Sequence, residues 1–474
     1  MKRIGLLICI IHFAAQGVIA STLKDSARIL SVNDFISIVK KYHPIAKQSA
    51  LIPQQAREEL NIAKGGWDPL IYSDYNRKNY DGVHYYSYLE NQIKIPTWYG
   101  LDVKAGYDFA TGENLSDENK LPKEGLGYLG ISWALGRNLV IDKRRAALRQ
   151  AQVFKEASEQ QRIILLNDLL VDAYQTYYEW SYAHQELLIF ESALKLADTR
   201  FEATKSMAAL GDRPDIDTVE ALTQVQSRQF QTNEARLNYI KKSLELSNFL
   251  WLENNAPLPF DTAMIPALLN SDFVLQKIEW AKMNELENQL RQSHPVVLNY
   301  SFKLKQLDIE RRLKMENVKP VFNANYNLLT KQFSFQDNTG TIFNNNYKLG
   351  FNFSTPILYA QGRGELKLAK LKITNTQYQM NLKTQELVNK LKSYFYELIN
   401  IQTQTKLYEQ SVANYKKLMD GEEERFKQGE SSMFLVNTRE TKLIEAQIKL
   451  RELQAKYFKT EAALKWAAGQ IGKE

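Results

Sequence analysis

The side chains able to carry acid–base or metal chemistry are few and scattered. Beyond an N-terminal apolar run the histidines are His43, His84, His184 and His294. A metal centre needs several converging ligands, yet neither His43 nor His294 has a second histidine or a paired carboxylate at ligand spacing. Each precedes a proline and reads as a helix boundary, with metal ligation as the alternative. Gly362-Arg363-Gly364 lacks the rest of any nucleotide motif, and no Gly-rich phosphate loop precedes a helix. The densest titratable group is Asp420, Glu422, Glu423 and Glu424. Carboxylates at a helix C-terminus oppose the macrodipole unless compensated. Arg425 and Lys427 can do that in a solvated helix end; alternatively the cluster faces a lumen and favours cations. No constellation supports an enzyme, and no cofactor or metal is expected.

That acidic group stands just before a helical hairpin. In RFKQGESSMFLVNTRETKLIEAQIKLREL, Arg425 to Leu453, Gly429 suits the left-handed residue past a helix end, and Ser431 or Ser432 can cap the next start. Neither Gly nor Pro interrupts 365–420 or 430–468, which predicts two long antiparallel helices. Val436, Leu443, Leu450, Tyr457 and Leu464 recur every seven residues, with Ala446 and Leu453 between them. Ile444, Ile448, Ala455, Phe458 and Ala462 form a second row beside that seam. Two seams suit a helix with a neighbour on each side, as in a closed palisade; one broad core-facing stripe is the alternative.

The chain has 474 residues, 25 Tyr, 21 Phe and a formal charge of +7. Its charges lie in mixed-sign helical runs, which argues against nucleic acid as a partner. MKR followed by an apolar run from Ile4 to Ile19 and then Ala20 reads as a secretory signal, residues 1–20. Its removal would take Lys2 and Arg3, lowering +7 to +5, and Cys9, the one cysteine. No other stretch approaches a membrane-spanning helix, so membrane insertion would require a barrel.

The chain uses one plan twice. His43-Pro44 and His294-Pro295 each open a stretch closed by a proline, Pro69 or Pro320, 26 residues after the histidine. Tyr75-Asn76 and Tyr326-Asn327 keep the same register. After each closing proline the period becomes two: Phe322, Ala324, Tyr326 and Leu328 alternate with asparagines, and Tyr347, Leu349, Phe351 and Phe353 alternate with small or polar residues. Ile71, Ser73 and Tyr75, then Leu129, Ile131 and Trp133, match them in the first copy. One apolar and one wet face fit a membrane barrel. SFQDNTGTIFNN is expected as an outer loop. From Arg137 to Leu210 there is again no Gly or Pro, ~110 Å if one helix, ending at LGDRPDID, where Gly211 and Asp212 turn the chain. The repeats are read as 21–256, with strands about 70–134 and a hairpin over 137–255, and 257–474, with strands about 321–355 and a hairpin over 365–468. The segment to Pro266 is the hinge between them.

With this duplicated order, the turn Arg425, Phe426, Gly429, Ser432, and the small-residue, basic helix starts at 142–146 and 362–364, the chain resembles the TolC-like outer-membrane efflux protein family. The resemblance implies a mainly α fold with a membrane β-barrel, assembled as a homotrimer with outer-membrane lipid around the barrel and a long periplasmic α-barrel below. It implies a passive duct of a tripartite efflux pump or type I secretion system. A periplasmic adaptor (membrane fusion) protein and, through it, an inner-membrane pump would dock at the tip formed by Gly211, Asp212, Arg425, Phe426, Gly429 and Ser432. Some members line the lumen after the second turn with aspartates; Leu435 and Thr438 stand there in this chain, so that ring does not carry over. The family plan gives two strands per repeat, which sets the expected barrel; the alternating runs within 85–109 are read as a hairpin added to it. A periplasmic coiled-coil adaptor or scaffold is the rival reading, and it leaves the alternating strands without a membrane.

Overall fold

The computed structural model describes residues 28–113, 115, 120–259, 264–269, 280–331 and 346–472. The expected signal segment, residues 1–20, and the loop expected between the last two strands lie outside them.

Each repeat begins with a helix pair. In the first, α1 (Val32–Tyr42) leads into α2 (Pro44–Lys64); in the second, α5 (Trp280–Ser293) leads into α6 (Pro295–Glu316). The two histidines explain the joints. Each is extended, and its Nδ1 accepts the backbone N–H two residues on, Ile45 or Val296, both at 3.2 Å. Imidazole thus acts as an N-cap, with proline at the first helical position where its missing N–H costs nothing. Pro53 is accommodated inside α2.

Two short strands, β1 (Arg28–Leu30) and β6 (Met264–Pro266), pair in parallel and bring the starts of the repeats together. The expected hinge therefore contributes a strand, because its backbone polar groups need partners where Leu30 and Met264 are buried. The core gathers there. Phe35 stacks on Tyr177 at 5.6 Å, the Tyr177 hydroxyl donates to the Leu30 carbonyl, and the fully buried Trp180 donates its indole N–H to Ser243.

The remaining strands form one antiparallel sheet. β2 (Leu70–Tyr80), β3 (Val83–Pro96), β4 (Leu101–Thr111), β5 (Leu126–Ala134), β7 (Val321–Thr330) and β8 (Tyr347–Ser354) lie in that order. This corrects the two-plus-two expectation: the runs within 85–109 are integral strands of the sheet, paired on both sides. One residue row crosses all six strands: Ile71, Ile93, Ala105, Leu129, Leu328 and Tyr347. It is apolar throughout, as period-two alternation requires of a single face. The opposite face is polar, with Gln92, Lys104, Asn325, Asn327 and Lys348.

The long helices are α3 (Lys143–Ala209) with α4 (Asp215–Ser247), and α7 (Ala360–Lys427) with α8 (Met433–Ala467). At 67 residues α3 runs ~100 Å. Asp142 starts it, its carboxylate accepting the Arg145 N–H at 2.8 Å. Beside the sheet the helices line up as α2, α3, α6, α7; towards the far turns the order is α4, α3, α8, α7. Helix α8 therefore finds a neighbour on each side within its own chain. Val436, Ala446, Leu453 and Tyr457 of the first seam are buried, as are Ile444, Ala455 and Ala462 of the second. The seams do not by themselves require other chains, because α3 of the first repeat is inserted beside α8 of the second. The helices short of a neighbour are α4 and α7. Ile216, Val219, Phe230, Leu237, Ile240 and Leu244 make an exposed stripe on α4; Leu368, Leu371, Tyr378, Leu382, Tyr396 and Leu407 make another on α7.

Candidate functional site: the paired helical turns

Both hairpins turn at the end of the molecule remote from the sheet, and they turn alike. After α3, Gly211 has φ +80°, its N–H donates to the Ala208 carbonyl, and the Asp212 N–H donates to Met207. After α7, Gly429 has φ +79°, its N–H donates to Phe426, and the Glu430 N–H donates to Arg425. Each is a Schellman closure that satisfies carbonyls a helix end would otherwise leave open. Nothing lies within 4 Å of where a Cβ would sit on either glycine, so the left-handed backbone alone demands glycine.

The restarts differ. Ser432 caps α8 through its hydroxyl, which accepts the Leu435 N–H, whereas Pro214 precedes α4 without a side-chain bond. Asp215 and Asp217 in the first turn of α4 complement its dipole instead.

A residue that sequence reasoning did not single out joins the turns. The Arg213 guanidinium lies 4.4 Å from the centre of the Phe426 ring and donates to the Phe426 carbonyl at 3.2 Å. Six tip positions expected from sequence, Gly211, Asp212, Arg425, Phe426, Gly429 and Ser432, are thus brought to one end, and Phe426 is the contact between the turns. Further in, Arg200 of α3 meets Glu440 of α8 at 2.8 Å with both largely buried, and Arg228 of α4 donates to the Thr441 hydroxyl at 2.9 Å. Leu210, Ile216, Val219 and Phe434 are exposed around the turns. An amphipathic pattern that breaks at a turn was the signal for them.

The acidic group is not one surface. Glu422 is 7% exposed; its carboxylate accepts the Ser431 hydroxyl at 2.6 Å and the Arg439 guanidinium at 3.4 Å, so it staples its own hairpin. The Ser431 hydrogen bond, helped by Arg439 and Arg425, holds its carboxyl below the usual glutamate range. Glu424 pairs with Lys427 at 2.9 Å, Glu423 lies 4.0 Å from Arg200, and Asp420 is exposed. Consecutive helical residues point ~100° apart, which is why a dense sequence cluster disperses. Leu435 and Thr438 are exposed beyond the second turn.

Elsewhere, Leu443 and Leu450 line a cleft with Leu188, Leu196, Leu268 and Met419, between α3, α7 and α8 of one chain. The described residues contain no group of three or more His, Cys, Asp or Glu arranged for a metal ion, and no helix among them is long and apolar enough to cross a membrane. His43 is occupied by capping and by stacking on Phe249 at 5.7 Å, and burial lowers its imidazole pKa.

Residues 287–470 match the model of the outer membrane efflux protein family. The chain carries an outer membrane efflux protein domain. Its fold as a whole is that of outer-membrane channels. The Campylobacter jejuni CmeC outer membrane channel superposes with a TM-score of 0.64 at 15% identity, covering 92% of this chain and 85% of that one. The open state of the Neisseria gonorrhoeae MtrE outer membrane channel gives 0.66 at 15%, covering 92% and 88%. The Vibrio cholerae outer membrane protein VceC gives 0.64 at 13%, covering 92% and 95%. No curated protein matches the chain. The second half of the chain is thus similar to an outer membrane efflux protein domain, and the chain as a whole has the fold of outer-membrane channels.

Proposed function

We propose that three copies of this chain close into a passive duct of the Gram-negative outer membrane. Their sheets pool into a barrel, and their helices form a tube that extends into the periplasm. The observation that carries this reading is that the chain is open at both lateral edges. Among the described residues β2 and β8 each lack a second strand partner, and the flanking helices α4 and α7 bear the exposed apolar stripes. An exposed strand edge and a stripe of that length are liabilities unless covered. Joining the β8, α7 edge of one copy to the β2, α4 edge of the next covers all four. The apolar sheet face, including Ile71 at 82% exposure and Phe353 at 66%, is then the lipid belt.

The paired turns are the docking end for a periplasmic adaptor, which connects the duct to an inner-membrane pump in a tripartite efflux or type I secretion assembly. Support comes from the rigid closure of both turns and the apolar side chains exposed beside them. Glu422 is committed to its hairpin, whereas Asp420, Glu423 and Glu424, the latter two with Arg200 and Lys427 beside them, are the carboxylates that favour cations at this entrance; replacing the three by Gln should shift the bilayer reversal potential towards zero under a salt gradient.

Fractionation tests the reading. A duct behaves as a heat-resistant oligomer of three chains that stays in the outer membrane after carbonate washing. A protein released by carbonate would instead be the periplasmic scaffold, and the proposal would fail.

A further inference from the structure

We infer that the external segment is an eighteen-stranded barrel of porin width, able to pass cargo thicker than a single helix. This rests on the trimeric reading, since three copies of a six-stranded sheet make eighteen strands. The six strands alternate in direction, so β8 of one copy meets β2 of the next antiparallel, as closure without an edge requires.

The added hairpin belongs to the membrane wall and is not an appendage outside it. Ile93 and Ala105, its members of the row from Ile71 to Tyr347, continue the apolar face without a break. Its turn back from β3 to β4 lies at the helical end, where Arg144 of α3 donates to Asp102 at 3.2 Å and Trp98 stacks on Trp67 at 4.3 Å. The hairpin is therefore anchored at the same level as the other strands.

The polar face requires water. Asp74, Glu90 and Asp108 stand abreast on β2, β3 and β4, and Lys94 stands directly opposite Lys104, with Asp102 2.9 Å from Lys94 as its ion-pair partner. Like charges side by side on adjacent strands repel unless solvent screens them. A filled barrel would magnify that repulsion, and a wide aqueous one removes most of it. At a tilt of ~40° and a strand spacing of ~4.8 Å, eighteen strands give a backbone diameter of ~36 Å against ~24 Å for twelve. After side chains the lumen is ~26 Å against ~14 Å; a single helix with side chains is ~10–12 Å across, so the wider lumen admits a helical hairpin.

Deleting residues 81–111 tests this. It removes β3 and β4 and leaves β2, residues 112–125 and β5; β2 and β5 retain antiparallel sense and restore two strands per repeat. Purified protein and variant are compared in planar bilayers with polyethylene glycols of graded size added from the external side, after chemical cross-linking has counted the chains. The inference predicts trimers for both and a cut-off radius about twofold smaller for the variant. Trimers with equal cut-offs overturn the inference alone, whereas a full-length chain that is not trimeric overturns the duct reading and this inference with it. Single cysteines in the full-length chain keep the question open to test if the variant does not fold. A membrane-impermeant charged thiol reagent should label Lys104→Cys at least tenfold faster than Ala105→Cys; equal rates would place the hairpin outside the membrane and overturn the inference.

Discussion

The two repeats are nearly identical at the helical turns and unlike in the sheet. Both turns close on a left-handed glycine with the same pair of backbone bonds, yet the first repeat supplies four strands and the second two. The difference follows from what each end must fit. Helices of the two repeats interleave in one wall, α3 beside α8, so a change in either length or turn would expose a buried seam. A sheet grows by adding a hairpin at no cost to the register of its neighbours, provided the new strands keep the apolar row.

Breaking the interleaving should have the largest effect. Glu440→Ala removes the close, buried carboxylate partner of Arg200 and leaves it only Glu423 at 4.0 Å; losing one member of a buried pair costs about 3–5 kcal/mol. Denaturant unfolding followed at Trp fluorescence should show it, while Lys427→Ala at the exposed Glu424 pair should leave the midpoint close to that of the parent.

The sameness of the turns is tested by Gly211→Ala and Gly429→Ala. Each forces a side chain into the left-handed region and should cost about 1–2 kcal/mol, equally in both repeats. A large inequality in their unfolding midpoints would mean that one turn is held by contacts the other lacks. Their differing restarts predict the opposite: Ser432→Ala should cost about 1 kcal/mol through the lost cap, while Pro214→Ala, with no cap bond to lose, should cost less than about 1 kcal/mol.

The smallest effect is a pH dependence in the first repeat's helix joint. Burial depresses the His43 pKa below its ordinary 6.5. A group depressed in the fold binds more protons when unfolded, so its contribution is complete above pH 6.5 and is lost as pH falls through the folded value. His43→Asn keeps a capping oxygen that does not titrate. Thermal midpoints between pH 7.5 and 5 should fall less in that variant than in the parent.

Much of this was legible in the sequence because it depends on local rules. The strict alternation from Phe322 to Leu328 and the Gly429, Ser432 turn specify strand, register and hairpin by themselves. Features that depend on the partner of a residue were not legible. Nothing near Arg213 in the chain announces Phe426, more than two hundred residues away, and nothing in Met264–Pro266 announces Arg28–Leu30. The acidic run misled for a related reason: adjacency in sequence is dispersion on a helix, and Glu422 found Ser431 and Arg439 across its own hairpin. The two rows of α8 leave a two-sided helix and one broad stripe both open in the sequence; in the fold α8 has a neighbour on each side, and the second comes from the other repeat and not from another chain.

The central claim is that one chain is an open third of a closed tube. The one cysteine, Cys9, lies within the expected signal segment, so Tyr72→Cys on β2 and Asn352→Cys on β8 can be introduced together and joined with a short bis-maleimide. These strands are the opposite edges of the sheet, too far apart to be bridged within one chain. The account predicts covalent species of two and three chains, with three as the limit, and no bridge in monomers. Rapid internal bridging of a single chain, or ladders extending past three, would contradict it.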